Sequence, residues 1–302
     1  MVKNLVTIII PTFNCEEYLS SAIESAISQT YFSTEIIVVD DGSTDNTKMK
    51  ISNYINSPLK YIYQVNAGPA AARNAGIKVA NGEYIAFLDS DDVWYPDFLE
   101  KALLLFTEKT GVVYGWCEFI DKNSNIMSNY IRKNRSYTGN VLKELFSEFF
   151  VITSSVVMKK ECLDIIGNFN ENLMVGEDYD LFLRIASKYE FICLDEIKIK
   201  RRILANSLSR QDSKVDAMND ISTLENFKKL HHDFYRTNKK YVDTRLSDYY
   251  FNLAYNCLER GEHYLPIKCL VLSIRYRMNS KAVFNIFMSM IPFKFRKIMK
   301  AL

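Results

Sequence analysis

Four short apolar runs, Val6–Ile10, Ile36–Val39, Tyr61–Val65 and Tyr84–Leu88, are separated by stretches whose apolar residues recur at helical spacing. This alternation limits the fold more than any other feature. Strands buried on both faces read as continuous hydrophobic runs, and successive parallel strands need a crossover between them. Leu19, Ala22, Ile23, Ala26 and Ile27 predict a helix over Glu17–Gln29. Ser43 or Thr44 can cap a helix starting near Asp45, and Pro69 opens an Ala-rich helix that runs to Ala80. The pattern predicts an α/β protein with a doubly wound layer and right-handed crossovers. Ligands of such layers bind beyond the carboxyl ends of the strands. Three of the runs end there in polar residues: Asp40-Asp41-Gly42-Ser43, Asn66-Ala67-Gly68-Pro69 and Asp89-Ser90-Asp91-Asp92.

The last of these ends carries the most chemistry. Asp89 and Asp91, one residue apart, are spaced to share one divalent cation together with an anion it carries. Carboxylate oxygens suit Mg²⁺ or Mn²⁺, which complete their shells with water and substrate phosphates. The plainer alternative is a solvated acidic turn that caps the helix starting near Pro96.

Further along, a helix is expected to Lys109, a strand over Val112–Phe119 and a polar loop excursion over Lys122–Thr138 that carries Arg132, Lys133 and Arg135. Val151–Met158 reads as a strand and Glu161–Ile166 as a short helix. In Gly176–Arg184, Leu181 and Ile185 share one helical face, so Glu177 and Asp178 fall at the helix amino terminus, where acids favour the dipole. Capping alone does not explain three carboxylates across Glu177–Asp180.

From about Val215 the alternation stops. Tyr249–Arg260, Gly261 and His263–Arg277 read as a helical hairpin of the tetratricopeptide kind, too short to stand alone. The division expected is a catalytic domain over 1–212 and a helical region over 213–302. Residues 281–302 hold an apolar stripe interleaved with Lys294, Arg296, Lys297 and Lys300 and contain no acid. That terminus suits an anionic membrane surface, or it docks on the protein's own core or a second subunit in a homo-oligomer.

Other classes lose their support. A net charge of +2 lacks the basic excess of a nucleic-acid binder. Neither G-x-G-x-x-G nor a P-loop occurs. The six cysteines are scattered without a C-x-x-C pair, which fits a reducing cytoplasm. Leu5–Ile10 is too short for a signal peptide and no run reaches membrane-spanning length. The location expected is cytoplasmic, with attachment to the inner membrane face left open.

Ile8-Ile9-Ile10-Pro11-Thr12-Phe13-Asn14, Val38-Val39-Asp40-Asp41-Gly42-Ser43-Thr44-Asp45, Gly68-Pro69-Ala70-Ala71-Ala72-Arg73-Asn74, Asp89-Ser90-Asp91-Asp92 and Gly176-Glu177-Asp178-Tyr179-Asp180-Leu181 stand in that order. Together they resemble the family 2 glycosyltransferases of the GT-A fold. The resemblance implies a GT-A-like mixed sheet with flanking helices. It also implies inverting transfer of a sugar from a nucleoside diphosphate, usually UDP, to an acceptor hydroxyl on a saccharide or lipid-linked saccharide. By the same resemblance Pro11, Thr12 and Phe13 form the wall against which the nucleobase packs. Asp41 recognises the base, with Asp40 as the weaker choice, and Arg73 is a cation near the nucleotide. Asp89 and Ser90 face the nucleotide, Asp91 and Asp89 hold the metal, Asp178 is the general base and Glu177 supports it.

The reaction asks for these residue types independently. A departing diphosphate gains negative charge that a divalent cation stabilises. Inversion needs a carboxylate on the opposite face of the sugar to take the acceptor's proton. Two alternatives stand beside this reading: transfer to a lipid-phosphate acceptor, and a non-catalytic nucleotide-sugar binder.

Overall fold

The predicted alternation folds as a single mixed sheet. The structure is a computed structural model, and it describes residues 2–54, 59–132, 136–173, 175–204, 213–260, 262, 264–278, 281–283 and 285. The chain divides into two units, Met1–Ser207 and Leu208–Leu302.

In the first unit, β1 (Val2–Thr12), β2 (Thr34–Asp40), β3 (Leu59–Tyr63) and β4 (Gly82–Phe87) are the parallel half of the sheet, in the order β3-β2-β1-β4. The apolar runs of β1, β2 and β4 are buried, with Ile8, Ile9, Ile10 and the run Ile85–Leu88 showing no exposed surface, whereas β3 at the edge is only partly buried. The helices α1 (Leu19–Ile27), α2 (Thr47–Ser52) and α3 (Pro69–Val79) are the crossovers. Strand order reverses between β1 and β4, so the crevice beyond their carboxyl ends lies between Pro11–Asn14 and Asp89–Asp92. Open α/β sheets take their ligands at such a point.

The second half reverses direction. β8 (Val156–Lys159) pairs antiparallel with β4 and with β6 (Thr110–Ile120), and β6 pairs parallel with β9 (Glu190–Arg202). β5 (Val93–Trp94) closes the edge against β9, and β7 (Ile126–Arg132) pairs antiparallel with β6. Helices α4 (Phe98–Leu103), α5 (Leu142–Ser147), α6 (Lys160–Ile166) and α7 (Glu177–Ala186) complete the unit.

Three expected segments fold differently, and β9 is a strand that the sequence reading did not expect. The expected loop over Lys122–Thr138 contains β7. Asp121 accepts the backbone N–H groups of Asn123 (2.8 Å) and Asn125 (2.9 Å), which closes a tight turn and returns the chain onto β6. The strand expected over Val151–Met158 begins only at Val156, because Thr153–Ser155 forms a 3₁₀ turn. Both the N–H (2.8 Å) and the hydroxyl (2.7 Å) of Ser155 donate to the Ile152 carbonyl, a local bond that competes with the sheet ladder. The helix expected to reach Lys109 stops at Leu103.

The second unit is helical among its described residues: α8 (Ser213–Leu230), α9 (His232–Glu259) and α10 (Tyr264–Tyr276). The first arm of the expected hairpin is thus the end of a longer helix that is broken at Asn238, where φ is −116°. Gly261 and His263 lie outside the described residues. Leu253, Ala254, Cys257, Cys269 and Leu270 form the core of this unit. The Ser247 hydroxyl on α9 donates to the Ser273 carbonyl on α10 at 2.9 Å. Most of the basic tail lies outside the described residues, and Ala282 at its start is buried in this core. Among the described residues no helix is long and apolar enough to cross a membrane.

Candidate active site

The site begins with the strand ends. Beyond β1 and β2 the two loops are laced together. The Asn14 and Glu16 N–H groups donate to Ser43 Oγ and Asp45 Oδ2, and Thr44 and Asn46 N–H donate back to Asn14 Oδ1 and Glu16 Oε2. Gly42 sits at φ 83°, and a Cβ there would come within 2.7 Å of the Asn66 backbone nitrogen, so this corner requires glycine. Thr12 is buried and its hydroxyl has no partner among the described residues, whereas Phe13 is half exposed on the rim and Pro11 is half-buried.

The paired aspartates behind them hold the loops. Asp40 accepts Ser43 N–H at 2.8 Å and the Tyr61 hydroxyl at 2.9 Å. Asp41 accepts Gln64 Nε2 (2.6 Å) and Ala67 N–H (2.9 Å) on Oδ1, and Gly68 N–H (2.8 Å) on Oδ2. It therefore fixes the turn that leads into α3 and keeps acceptor capacity on Oδ2.

After β4 the chain turns through Asp89–Asp92, with Asp92 N–H donating to the Asp89 carbonyl at 3.0 Å. Asp92 is buried and structural: it accepts Arg202 N–H at 2.9 Å and bonds the Ser154 hydroxyl. Withdrawal from water, then the charges of Asp91 and Asp89, push its carboxyl well up. Asp91 differs. Its carboxyl is raised to about 6, first by withdrawal from water and then by Asp89, and Arg201 and Arg202 offset this only in part. The adjacent Ser90 is buried beside Cys15.

The second acidic centre is the start of α7. Gly176 adopts the left-handed conformation (φ 83°) that turns the chain into the helix. Three acids follow with separate fates. Asp180 pairs with Arg184 at 2.7 Å and belongs to the helix. Glu177 is buried and accepts Arg73 Nη1 at 2.7 Å. Asp178 accepts its neighbour's N–H (Tyr179, 2.8 Å) on Oδ1 and the Thr153 hydroxyl (3.1 Å) on Oδ2. Withdrawal from water raises the Asp178 carboxyl, and Arg73 and these two donors pull it back only partly. Glu177 is raised by the same withdrawal and by Asp178, against Arg73.

Arg73 joins the two centres. Its Nη2 donates to Asp89 at 2.8 Å while Nη1 donates to Glu177, its plane lies over Phe169 at 5.4 Å, and it is 6% exposed. Burial alone pulls its pKa down, but Asp89 and Glu177 outweigh that and hold it charged. Its Nε has no partner among the described residues. Asp89 and Glu177, far apart in sequence, thus bind one guanidinium.

Sequence reasoning missed two supports. One is Arg202 at the end of β9. Its Nε donates to the Asp91 carbonyl (3.0 Å), its Nη1 to the Asp121 carbonyl (2.8 Å), and it lies over the Tyr18 ring at 4.5 Å. The run Lys198–Arg202 at a strand end was the available signal. The other is the Thr153–Ser155 turn.

Among the described residues no three His, Cys, Asp or Glu side chains form a ready cage for a metal. Asp89 and Asp91 still fit a hard cation of the kind that binds through one or two carboxylates and takes its remaining oxygens from water and a diphosphate. The under-compensated charge of Asp91 is the observation behind that fit.

Comparisons with known proteins give a family match, curated relatives and a shared fold. Residues 7–167 match the glycosyl transferase family 2 profile. An uncharacterized glycosyltransferase of Rickettsia typhi is 36% identical over 214 residues, which cover 66% of this chain and 64% of that one, less than two thirds of the relative's length. A UDP-Glc:alpha-D-GlcNAc-diphosphoundecaprenol beta-1,3-glucosyltransferase of Escherichia coli is 32% identical over 226 residues, 72% of this chain and 86% of that protein. The mannosyltransferase PcManGT of Pyrobaculum calidifontis, solved with GDP-Man and Mn²⁺, superposes with a TM-score of 0.61 at 17% identity, covering 98% of this chain and 86% of that one.

Proposed function

The chain belongs to glycosyl transferase family 2, and from that premise we propose that it transfers a sugar, with inversion, from a UDP-sugar to an acceptor hydroxyl in cell-surface polysaccharide or glycoconjugate synthesis. One observation carries the reading: Arg73 binds Asp89 and Glu177 at once, so a donor-side acid and the acid beside Asp178 share one site.

Asp178 is the general base. Its raised carboxyl makes it a stronger proton acceptor than a solvated aspartate, and Oδ2 is held in place by Thr153. As the acceptor oxygen bonds to the anomeric carbon, the bond from that carbon to the diphosphate oxygen breaks. Its electron pair leaves with UDP, and the hydroxyl proton passes to Asp178. Glu177 fixes the amino terminus of α7 through Arg73. Arg73 works through Asp89 and Glu177, which it binds through its two Nη atoms. Pro11, Thr12 and Phe13 flank the base, and Asp41 is the acceptor for a uracil N3–H, with Asp40 beside it as the weaker choice. Asp91 with Asp89 would hold Mn²⁺ or Mg²⁺, which when bound supplies Lewis-acid stabilisation of the departing diphosphate.

The acceptor of the Escherichia coli relative, by its name, is a diphosphoundecaprenol-linked sugar. That supports a lipid-linked saccharide as the acceptor here and gives the basic 281–302 segment a role at the membrane surface. Equal liposome flotation with and without those residues would discard that role.

The test is UDP release from a panel of UDP-sugars, with and without lipid-linked acceptor, before and after EDTA. The expected release depends on acceptor, stops with EDTA and returns with Mn²⁺. Tight UDP binding without acceptor-stimulated release would replace the enzyme with a nucleotide-sugar binder.

A further inference from the structure

Thr153, Ser154 and Ser155 are all buried, at 4%, 0% and 0% exposure, and each hydroxyl has a different destination. The Thr153 hydroxyl donates to Asp178 Oδ2 at 3.1 Å. The Ser154 hydroxyl accepts Asp89 N–H at 3.1 Å and bonds the buried Asp92 carboxylate. The Ser155 hydroxyl closes the turn on Ile152. Two adjacent residues of one helical turn therefore hold the two acidic centres of the site, one each.

The turn is itself anchored. The Trp94 indole N–H donates to the Ser154 carbonyl at 2.7 Å. β8, which follows without a break, pairs Val157 with Ala86 on β4 and with Val113 on β6. A buried hydroxyl costs stability unless it is hydrogen-bonded. Packing alone would be served as well by alanine or valine here. Hydroxyls at successive positions, aimed at different acids, suit a part that sets a distance.

We propose that the Thr153–Ser155 turn is a rigid spacer between the donor side and the acceptor side of the site. Thr153 is the positioning residue for Asp178, and Ser154 is the positioning residue for the Asp89–Asp92 turn. Arg73 links the same centres electrostatically, whereas this turn links them through two bonded backbone positions. The inference rests on Asp178 being the base.

Because the two hydroxyls serve opposite sides, the two substitutions separate kinetically. In the full chain, Thr153→Val lowers kcat about tenfold, the worth of one hydrogen bond to a charged group. It leaves the donor KM and the calorimetric affinity for UDP with Mn²⁺ unchanged, and Thr153→Ser restores most of the turnover. Ser154→Ala weakens UDP–Mn²⁺ binding several-fold and changes kcat less. Equal changes in kcat and KM in both variants, or wild-type kcat in Thr153→Val, would overturn the spacer. Should Thr153→Val not fold, Thr153→Ser against Thr153→Ala makes the same comparison. Asp178→Asn run in parallel tells the failures apart. If it loses turnover while Thr153→Val does not, the spacer alone falls. If it keeps turnover, the base assignment falls first.

Discussion

Asp91 in the sheet unit and Glu225 in the helical unit are both half-buried carboxylates with cations nearby, yet burial leaves them in opposite states. Withdrawal from water and the charge of Asp89 raise Asp91 to about 6, and the neighbouring arginines do not cancel this. Glu225 on α8 is pushed up by burial too, but three donors more than reverse it and hold it below the ordinary glutamate range. Lys228 reaches Oε2 at 2.7 Å, and the hydroxyls of Tyr250 and Tyr276 reach Oε1. The Tyr250 and Tyr276 rings stack at 6.0 Å behind it. The difference lies in satisfaction: the helical unit supplies partners for its acid, while the site leaves Asp91 and Asp178 short of theirs. A protein places an under-compensated charge where something else is to bind or react with it.

The largest expected break in this contrast is Asp178→Asn. Turnover falls by about 10²-fold or more, within the range of general-base losses, while UDP affinity stays near wild type. Steady-state kinetics with calorimetry checks both halves. An equal loss in UDP affinity would make Asp178 part of the donor site instead.

Asp91→Asn tests the stability side. UDP affinity should lose its dependence on Mn²⁺, by about tenfold or more if one charge-assisted contact is removed. The same substitution should stabilise the metal-free protein at pH 8 by on the order of 2 kcal/mol, because a carboxylate raised to about 6 is strained when ionised. A raised folded pKa means the penalty is full above pH 6, shrinks steadily below it and is gone only under the ordinary aspartate value of 3.8. Urea midpoints without metal should therefore separate wild type from variant most at pH 8, less at pH 5 and scarcely at pH 4.

That a site residue can oppose stability explains what the sequence did and did not disclose. The strands β1, β2 and β4 were legible because burial on both faces forces unbroken apolar runs such as Ile8–Ile10 and Ile85–Leu88. Asp89, Asp91, Glu177 and Asp178 stood out by their clustering at two chain turns, beyond the acidic turn or helix cap that each place offered as a local reason. Arg73 was noticed, but its bridge between Asp89 and Glu177 is a tertiary fact that no spacing encodes. The Thr153–Ser155 turn was hidden because Val151–Met158 has the composition of a strand, and only side-chain bonds to the backbone break it. β9 and Arg202 escaped because a long strand rich in Lys and Arg lacks the apolar run that marks β1–β4.

Glu225→Gln should act in the opposite sense to Asp91→Asn, costing about 1–2 kcal/mol as hydrogen bonds to a charged group are weakened. The sign with pH also reverses. A lowered folded pKa gives stability that is present above the unfolded value and lost as pH falls through the folded one. Wild type and Glu225→Gln should therefore differ at pH 7 and converge in acid, read from urea unfolding followed by helical circular dichroism. If they differ equally at all pH values, Glu225 contributes through packing, and the contrast with Asp91 is not electrostatic.

The smallest effect supplies the control that both arms need. Asp233 and Arg236 on α9 pair at 3.0 Å, three residues apart, with side chains 93% and 83% exposed. Water already solvates both charges, so the pair gains little Coulomb energy and loses side-chain freedom. Asp233→Asn should change unfolding free energy by no more than about 0.5 kcal/mol, the range of helical ion pairs, and added salt should erase even that. A change as large as that of Glu225→Gln would mean that charge number, and not the shortage or supply of partners, governs these carboxylates. The distinction drawn between Asp91 and Glu225 would then lose its physical basis.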